Sequence, residues 1–424
     1  MGETLDKKPT SLFAKYRGLS RNVFALSLVS LLNDTSSEII YPLLPAFLFL
    51  TLGATPFAIG LIEGIAESVA SILKLFSGYL SDKFGNRKLP VFFGYSLAAV
   101  TRPFLAFVTS WPQVLAVRTT DRIGKGIRGA PRDALIAQGI PAEKRGLAYG
   151  FNRAADHMGA VIGPVIAFAL LTYLAVDSSN PTAREYQRVF LFASIPVALG
   201  LFVIVFFVHE ERKETKKEGA NPIKFSLREF DGNFKKFLFV IALFTLSNST
   251  DAFLLLRAEQ AGIAPAMLPL LWMVLHFSKV VFSLAGGNLS DRLGRKPTIV
   301  TGWFVYAAVY IAFAFVGSAW QAWTLFIIYG VYFGLTEGVE KALVADMVSE
   351  EKRGTAFGFY NLAYGITVLP ASLLFGLLWS KFGVETAFAV SASISVLAAI
   401  LLLGIKTKGT DLRPSATTNL DVLN

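Results

Sequence analysis

The chain has no cysteine, so neither a disulfide framework nor a thiolate metal site is open to it. Histidine is nearly as scarce: His157, His209 and His276 are all there is, a poor basis for a metal centre. Charge is thin as well. Only 17% of the 424 residues are Asp, Glu, Lys or Arg, against roughly 25% in soluble domains, too few to coat a soluble surface of this size. What abounds is apolar: 54% hydrophobic residues, with 37 phenylalanines. A net charge of +10 would point to nucleic acid in a soluble protein; here its distribution matters more than its sum. The first 22 residues are polar and basic, and the apolar run behind them is full length. That run should anchor the chain rather than be cleaved as a signal peptide.

Crossing ~30 Å of hydrocarbon takes about 20 apolar residues. Such stretches fall near 23–51, 57–81, 90–109, 112–137, 147–173 and 188–208, then near 236–256, 264–289, 297–316, 320–346, 355–380 and 385–405. This predicts an all-α membrane protein of about twelve transmembrane helices in two groups of six. The predicted units are a tail (1–22), an N-terminal six-helix domain (23–208), a polar linker (209–235), a C-terminal six-helix domain (236–405) and a second tail (406–424). Lys and Arg collect in alternate connections: Lys83, Arg87 and Lys88, Lys144 and Arg145, Arg212 to Lys217, Arg292 to Lys296, Lys352 and Arg353, Lys406 and Lys408. Basic loops stay in the cytoplasm, which predicts that both termini are cytoplasmic and the membrane is a bacterial-type inner membrane.

The most informative feature is a segment that occurs twice. Gly78-Tyr79-Leu80-Ser81-Asp82-Lys83-Phe84-Gly85-Asn86-Arg87-Lys88 returns as Gly287-Asn288-Leu289-Ser290-Asp291-Arg292-Leu293-Gly294-Arg295-Lys296, almost half a chain later. Glu143-Lys144-Arg145-Gly146 returns as Glu351-Lys352-Arg353-Gly354 at nearly the same offset. Two repeats at one offset imply a duplication, with a substrate site between parallel halves near the bilayer midplane. The doubled loop resembles the signature that joins helices 2 and 3, and 8 and 9, of major facilitator superfamily transporters, and the resemblance covers essentially the whole chain. It implies alternating access, and a cytoplasmic gate formed by Gly78, Asp82 and Gly85 with Arg132 and Arg145, and by Gly287, Asp291, Arg292 and Gly294. Asn86 departs from that pattern, where a basic residue is usual, so the first gate is expected to be the weaker.

Predicted helix 4 carries Arg118, Asp121, Arg122, Lys125, Arg128, Arg132 and Asp133. At about 100° per residue these share an arc of roughly 140°. Each charge costs at least ~2.5 kcal/mol at membrane depth, so this face must meet partners or water. It is either an internal ion-pair network or the wall of a solute pathway, and the two are compatible: deeper residues bind solute while Arg128, Arg132 and Asp133 tie the cytoplasmic gate. At ~1.5 Å rise per residue, Asp34, Glu67 and Arg122 all lie near mid-bilayer. In the superfamily it resembles, helices 1, 4, 7 and 10 line the cavity, which places Asp34, Glu38, Arg118 and Arg122 there. Asn33, Ser37 and Tyr41 follow helix 1 at i, i+4 and i+8 and add neutral donors and acceptors.

The predicted substrate residues are Asn33, Ser37, Tyr41, Arg118, Arg122, Asn248, Asp251 and Glu337. Asp34, Glu38, Glu63, Glu67 and His276 are the proton-coupling candidates, each with a permanently structural role as the alternative. In helix 5, Gly159, Gly163 and Pro164 resemble the glycine–proline signature of proton-coupled drug exporters in the superfamily; small residues there permit close helix packing. Gly124-Lys125-Gly126-Ile127-Arg128-Gly129 fits G-x-G-x-x-G, but a dinucleotide site needs a preceding strand, and none is predicted.

The expected function is secondary active transport of a small anionic or zwitterionic organic solute, proton-coupled, with export favoured. The alternatives are uptake symport of a polycarboxylate, organic phosphate or siderophore-like anion, or lipid flipping. No nucleophile–base or metal constellation points to an enzyme. The expected partners are the solute, protons and the bilayer, with no nucleic acid and no cofactor beyond the proton gradient, and the unit is expected to function as a monomer.

Overall fold

The computed structural model describes residues 19–84, 86–138, 140, 142–210 and 226–406. Twelve long helical segments follow one another: α1 (Arg21–Thr51), α2 (Pro56–Phe84), α3 (Lys88–Phe107), α4 (Trp111–Ala137), α5 (Ala142–Leu174), α6 (Ala183–Phe207), α7 (Gly232–Gln260), α8 (Pro265–Leu293), α9 (Arg295–Ala314), α10 (Ala319–Met347), α11 (Arg353–Phe382) and α12 (Val384–Leu403). Among the described residues there is no strand. All but α4 are long and apolar enough to cross a membrane. α4 has ample length; its charged face lowers its hydropathy.

Three segments depart from straight helices where the sequence reading made them continuous. In α1 the helix ends at Ile40, and Pro42 and Pro45 cannot donate to the ladder, so the chain goes on through Leu44–Ala46 into a π-turn, Phe47–Thr51. In α3, Pro103 tightens the last turn to a 3₁₀ helix, Arg102–Phe107. The third break, in α7, bears on function. The helix stops at Ser247 and restarts at Ala252. Asn248-Ser249-Thr250-Asp251 supplies four side chains that compete with the backbone for hydrogen bonds. The loosened Ser247 carbonyl is taken by the Tyr306 hydroxyl at 2.7 Å, so the break is satisfied and buried.

α1–α6 pack as one bundle, with α1 against α5 and α6, and α4 between α2 and α3. α7–α12 pack as a second, with α10 between α8 and α9, and α12 against α9. The bundles meet along two helix pairs, α2 with α11 and α5 with α8. At the first crossing the backbones touch through glycine: a Cβ at Gly376 would lie 2.7 Å from the Pro56 carbonyl oxygen, and one at Gly64 2.9 Å from Leu369. Ser68 donates to the Gly365 carbonyl at 2.7 Å across the same seam.

The two ends of the molecule differ. At the end holding 51–56 and 260–265, Phe57 N donates to Ser380 Oγ at 3.2 Å, and α1 beyond Ile40 packs against the second piece of α7. That end is closed. Toward the end that holds the described termini, Lys74, Lys125, His157, Glu337, Lys341 and Tyr364 are exposed, and Gly150, Gly338 and Gly354 have open space where a Cβ would stand. A cleft between the bundles therefore opens on that end alone.

Candidate solute and proton site

The charged face of α4 is held mainly by the three helices that precede it in the chain, with one contact from α5 at its end. Arg118 meets Glu63 of α2 through two nitrogens, Nη2 at 2.7 and 2.8 Å and Nε at 3.1 Å, and both side chains are buried. One turn on, Arg122 Nη2 lies 3.1 Å from Glu67 Oε1. Asp121 pairs at 3.0 Å with Arg102, at the 3₁₀ turn of α3, and Arg102 also donates to the Asn33 carbonyl and to Asn33 Oδ1 at 3.0 and 3.1 Å. Arg128 donates to the Gly94 carbonyl at 3.1 Å and to Asn33 Oδ1 at 3.3 Å, with its guanidinium 4.3 Å from the Tyr95 ring centre. Arg132 reaches Ser30, Asp133 and, at 3.9 Å, Asp156.

This changes the expected division of labour. Arg128 and Arg132, read as ties of a gate, place their hydrogen bonds inside the first bundle. Arg118 is walled off by Glu63 rather than presented to the cleft. Glu63 and Glu67, read as coupling acids, each sit in an ion pair. In the other group of coupling candidates no cation is in contact. Asp34 takes a hydrogen bond from Asn33 Nδ2 at 2.9 Å, and Glu38 one from Trp272 Nε1 at 2.7 Å. Neither forms an ion pair among the described residues. Both lie against the glycines of α5: a Cβ at Gly159 would come 3.0 Å from Asp34 Cβ, and one at Gly163 2.7 Å from Glu38 Cβ. Pro164 follows inside α5.

The Trp272–Glu38 bond joins the two bundles, α8 to α1. Tyr41 packs tilted against the same indole at 4.9 Å, and His276 stands edge-on to it at 5.0 Å. His276 Nε2 is buried with no hydrogen-bond partner. Ser37 donates to the Asp34 carbonyl of its own helix at 3.1 Å, and lines a water-sized void with Arg102, Arg118 and Asp121.

In the second bundle the break in α7 presents Asp251, whose carboxylate accepts from the Tyr329 hydroxyl at 2.9 Å and lies 3.7 Å from Lys279 Nζ. Asn248 donates to the Tyr332 hydroxyl at 3.0 Å. Glu337 pairs with Lys341 on the exposed face of α10. Glu340 is buried, accepting from Trp303 Nε1 at 3.1 Å and Tyr360 at 2.8 Å, without an ion pair among the described residues.

At the second repeat loop, Gly294 has φ +92°, the left-handed region that suits glycine. Asp291 pairs with Arg295, at 2.5 Å, and Arg295 with Asp346 at 3.4 Å. Both contacts stay within the second bundle; Arg292 is exposed and Gly287 has open space around it. Of the first loop, Gly85 lies outside the described residues, as do the side chains of Asp82 and Arg145 and the surroundings of Gly78.

Sequence reasoning missed three residues. Arg102 looked like the flank of a helix beside Pro103. Trp272 was one aromatic among many. Tyr364, 38% exposed, was hidden in an apolar helix.

Twelve helices in two bundles around a polar cleft define a membrane transporter. The chain belongs to the Major Facilitator Superfamily, whose sequence pattern matches residues 26–339 and 237–420. It is similar to an uncharacterized MFS-type transporter of Methanocaldococcus jannaschii, 34% identical over 400 residues, 92% of this chain and 96% of the relative. A multidrug resistance protein of Citrobacter koseri is 24% identical over 405 residues, 90% and 93% of the two chains. Among solved structures, a nucleoside transporter superposes with a TM-score of 0.77 at 14% identity, over 91% of this chain and 99% of that one.

Proposed function

We propose that the protein exports a small anionic or zwitterionic organic solute by alternating access, in exchange for protons. The end bearing the termini is assigned to the cytoplasm from its basic loops, so the described state is open to the cytoplasm. The observation that carries the reading is the sorting of the buried and half-buried acids. Glu63, Glu67 and Asp121 neutralise arginines, whereas Asp34 and Glu38 have only neutral donors. Even a half-buried carboxylate without a cation is costly to keep ionised, which suits a group that gains and loses a proton. The resemblance to a multidrug resistance protein supports the export direction.

A carboxylate accepts an N–H more strongly than a neutral carboxyl does. Ionised Glu38 therefore holds Trp272 firmly and protonated Glu38 more loosely, so the balance between states depends on its proton. Exchange requires that solute binding release this contact on the outward step and that the proton ride on the return. Arg122 and Lys125 offer the solute its counter-charge from the cytoplasmic side.

The test is transport in proteoliposomes under an imposed pH gradient. Uphill solute movement that collapses with the gradient is expected, together with retained solute exchange and lost gradient-driven movement in Glu38→Gln. Flux indifferent to the gradient would refute the coupling, and inward movement with the proton would replace export by symport.

A further inference from the structure

We propose that the solute carries a flat aromatic ring beside its negative charge, the charge held by the first bundle and the ring by the second. This rests on the anion-transport reading and specifies its cargo.

The two walls of the cleft differ in kind. On the first bundle, Lys125 is exposed within the cleft and forms no ion pair among the described residues; Arg122, Glu67 and Asp34 are its charged neighbours. Arg122 gives one nitrogen to Glu67, while its buried Nε has no acceptor. Two cations with free donors side by side call for acceptor oxygens. The second bundle offers rings. Tyr364 of α11 is exposed, within electrostatic reach of Glu67, Asp251, Glu337 and Glu340, so it stands in the cleft rather than facing lipid. Phe333 of α10 is partly exposed and packs at 4.8 and 5.1 Å on Tyr332 and Tyr329. Lys279 already lies 3.5 Å from the centre of the Phe333 ring, a third cation kept near the ring wall. Lys279 is neutralised by Asp251, so the donors left for a solute's charge are those of Arg122 and Lys125 on the first wall. A saturated anion would satisfy the first wall and leave the second without its ring contact.

Offset or edge contact between aromatic groups gives a preference of about 2- to 12-fold over area burial alone. The experiment uses the purified full-length protein in detergent, with benzoate, 4-hydroxybenzoate and 2-naphthoate each compared with its ring-saturated counterpart. Affinity is read from ligand-dependent thermal shifts, and counterflow from proteoliposomes. The expected result is tighter binding of the aromatic member of each pair by that factor. Tyr364→Leu should remove the difference while leaving affinity for the saturated acids, and Tyr364→Phe should keep it. Equal binding within each pair, with counterflow intact, overturns the ring assignment alone. No binding of either member, with binding of the cation tetraphenylphosphonium, overturns the anion reading and this inference with it.

Discussion

At the scale of single residues, ion pairs and lone acids have different consequences. Arg118 and Glu63 are both buried and joined by three short contacts. Removing one member leaves the other as an uncompensated charge, which costs about 3–5 kcal/mol. Glu63→Gln should therefore lower the thermal unfolding midpoint in detergent sharply. Glu67→Gln should do so less, because the Glu67 side chain is 31% exposed and water replaces part of what is lost. Glu340 is the converse case: Trp303 and Tyr360 already give it neutral donors, so Glu340→Gln should fold with near-native stability, and a large drop in that midpoint would show an ionised role instead. The charged face of α4 was legible from spacing alone. Which charge met which was not, since Arg102 and Asn33 lie on other helices, and nothing local to their sequence marks them as partners.

At the scale of helices, glycine governs the seam between α2 and α11. A side chain at Gly376 would press on the Pro56 carbonyl and Phe57, 2.7 and 2.9 Å from its Cβ, so Gly376→Leu should force the closed end apart. The absence of cysteine makes this measurable: a single cysteine at Glu337→Cys, exposed in the cleft, reports cytoplasmic opening by its reaction with an impermeant maleimide in inside-out vesicles. Labelling should slow in the Gly376→Leu background. Helix number and order were readable from apolar length. The break in α7 was not, because Asn248 to Asp251 sit in a stretch whose average is apolar, and the Tyr306 hydroxyl that caps the opened carbonyl comes from across the bundle.

At the scale of the whole molecule, the Trp272–Glu38 bond spans the bundles beneath the closed end, alongside the Ser68–Gly365 and Phe57–Ser380 bonds of the α2–α11 seam, and it alone of the three involves a carboxylate. A hydrogen bond to a charged group contributes about 1.5–3 kcal/mol, so losing it should move the balance between states by roughly tenfold or more. Trp272→Phe preserves most of the ring packing on Tyr41 and removes only the N–H. The expected outcome is slower cytoplasmic labelling at Glu337→Cys, most evident at high pH, where Glu38 is ionised. Unchanged labelling would assign the closed end to the α2–α11 seam alone. The doubled loop had suggested that control lies in a pair of cytoplasmic gates; in this state, among the described residues, the ion pairs of the second loop stay within its own bundle.

The charged face of α4 also bears on how the protein is made. Taken alone, that helix is a poor candidate for entry into a bilayer, each midplane charge costing at least ~2.5 kcal/mol. Yet Ser30, Asn33, Glu63, Glu67, Gly94, Tyr95 and Arg102 all belong to helices synthesised before it. By the time α4 leaves the ribosome, most of its counter-charges and acceptors are already in the membrane. The order of the chain is thus an assembly order, in which the first three helices act as the solvent for the fourth.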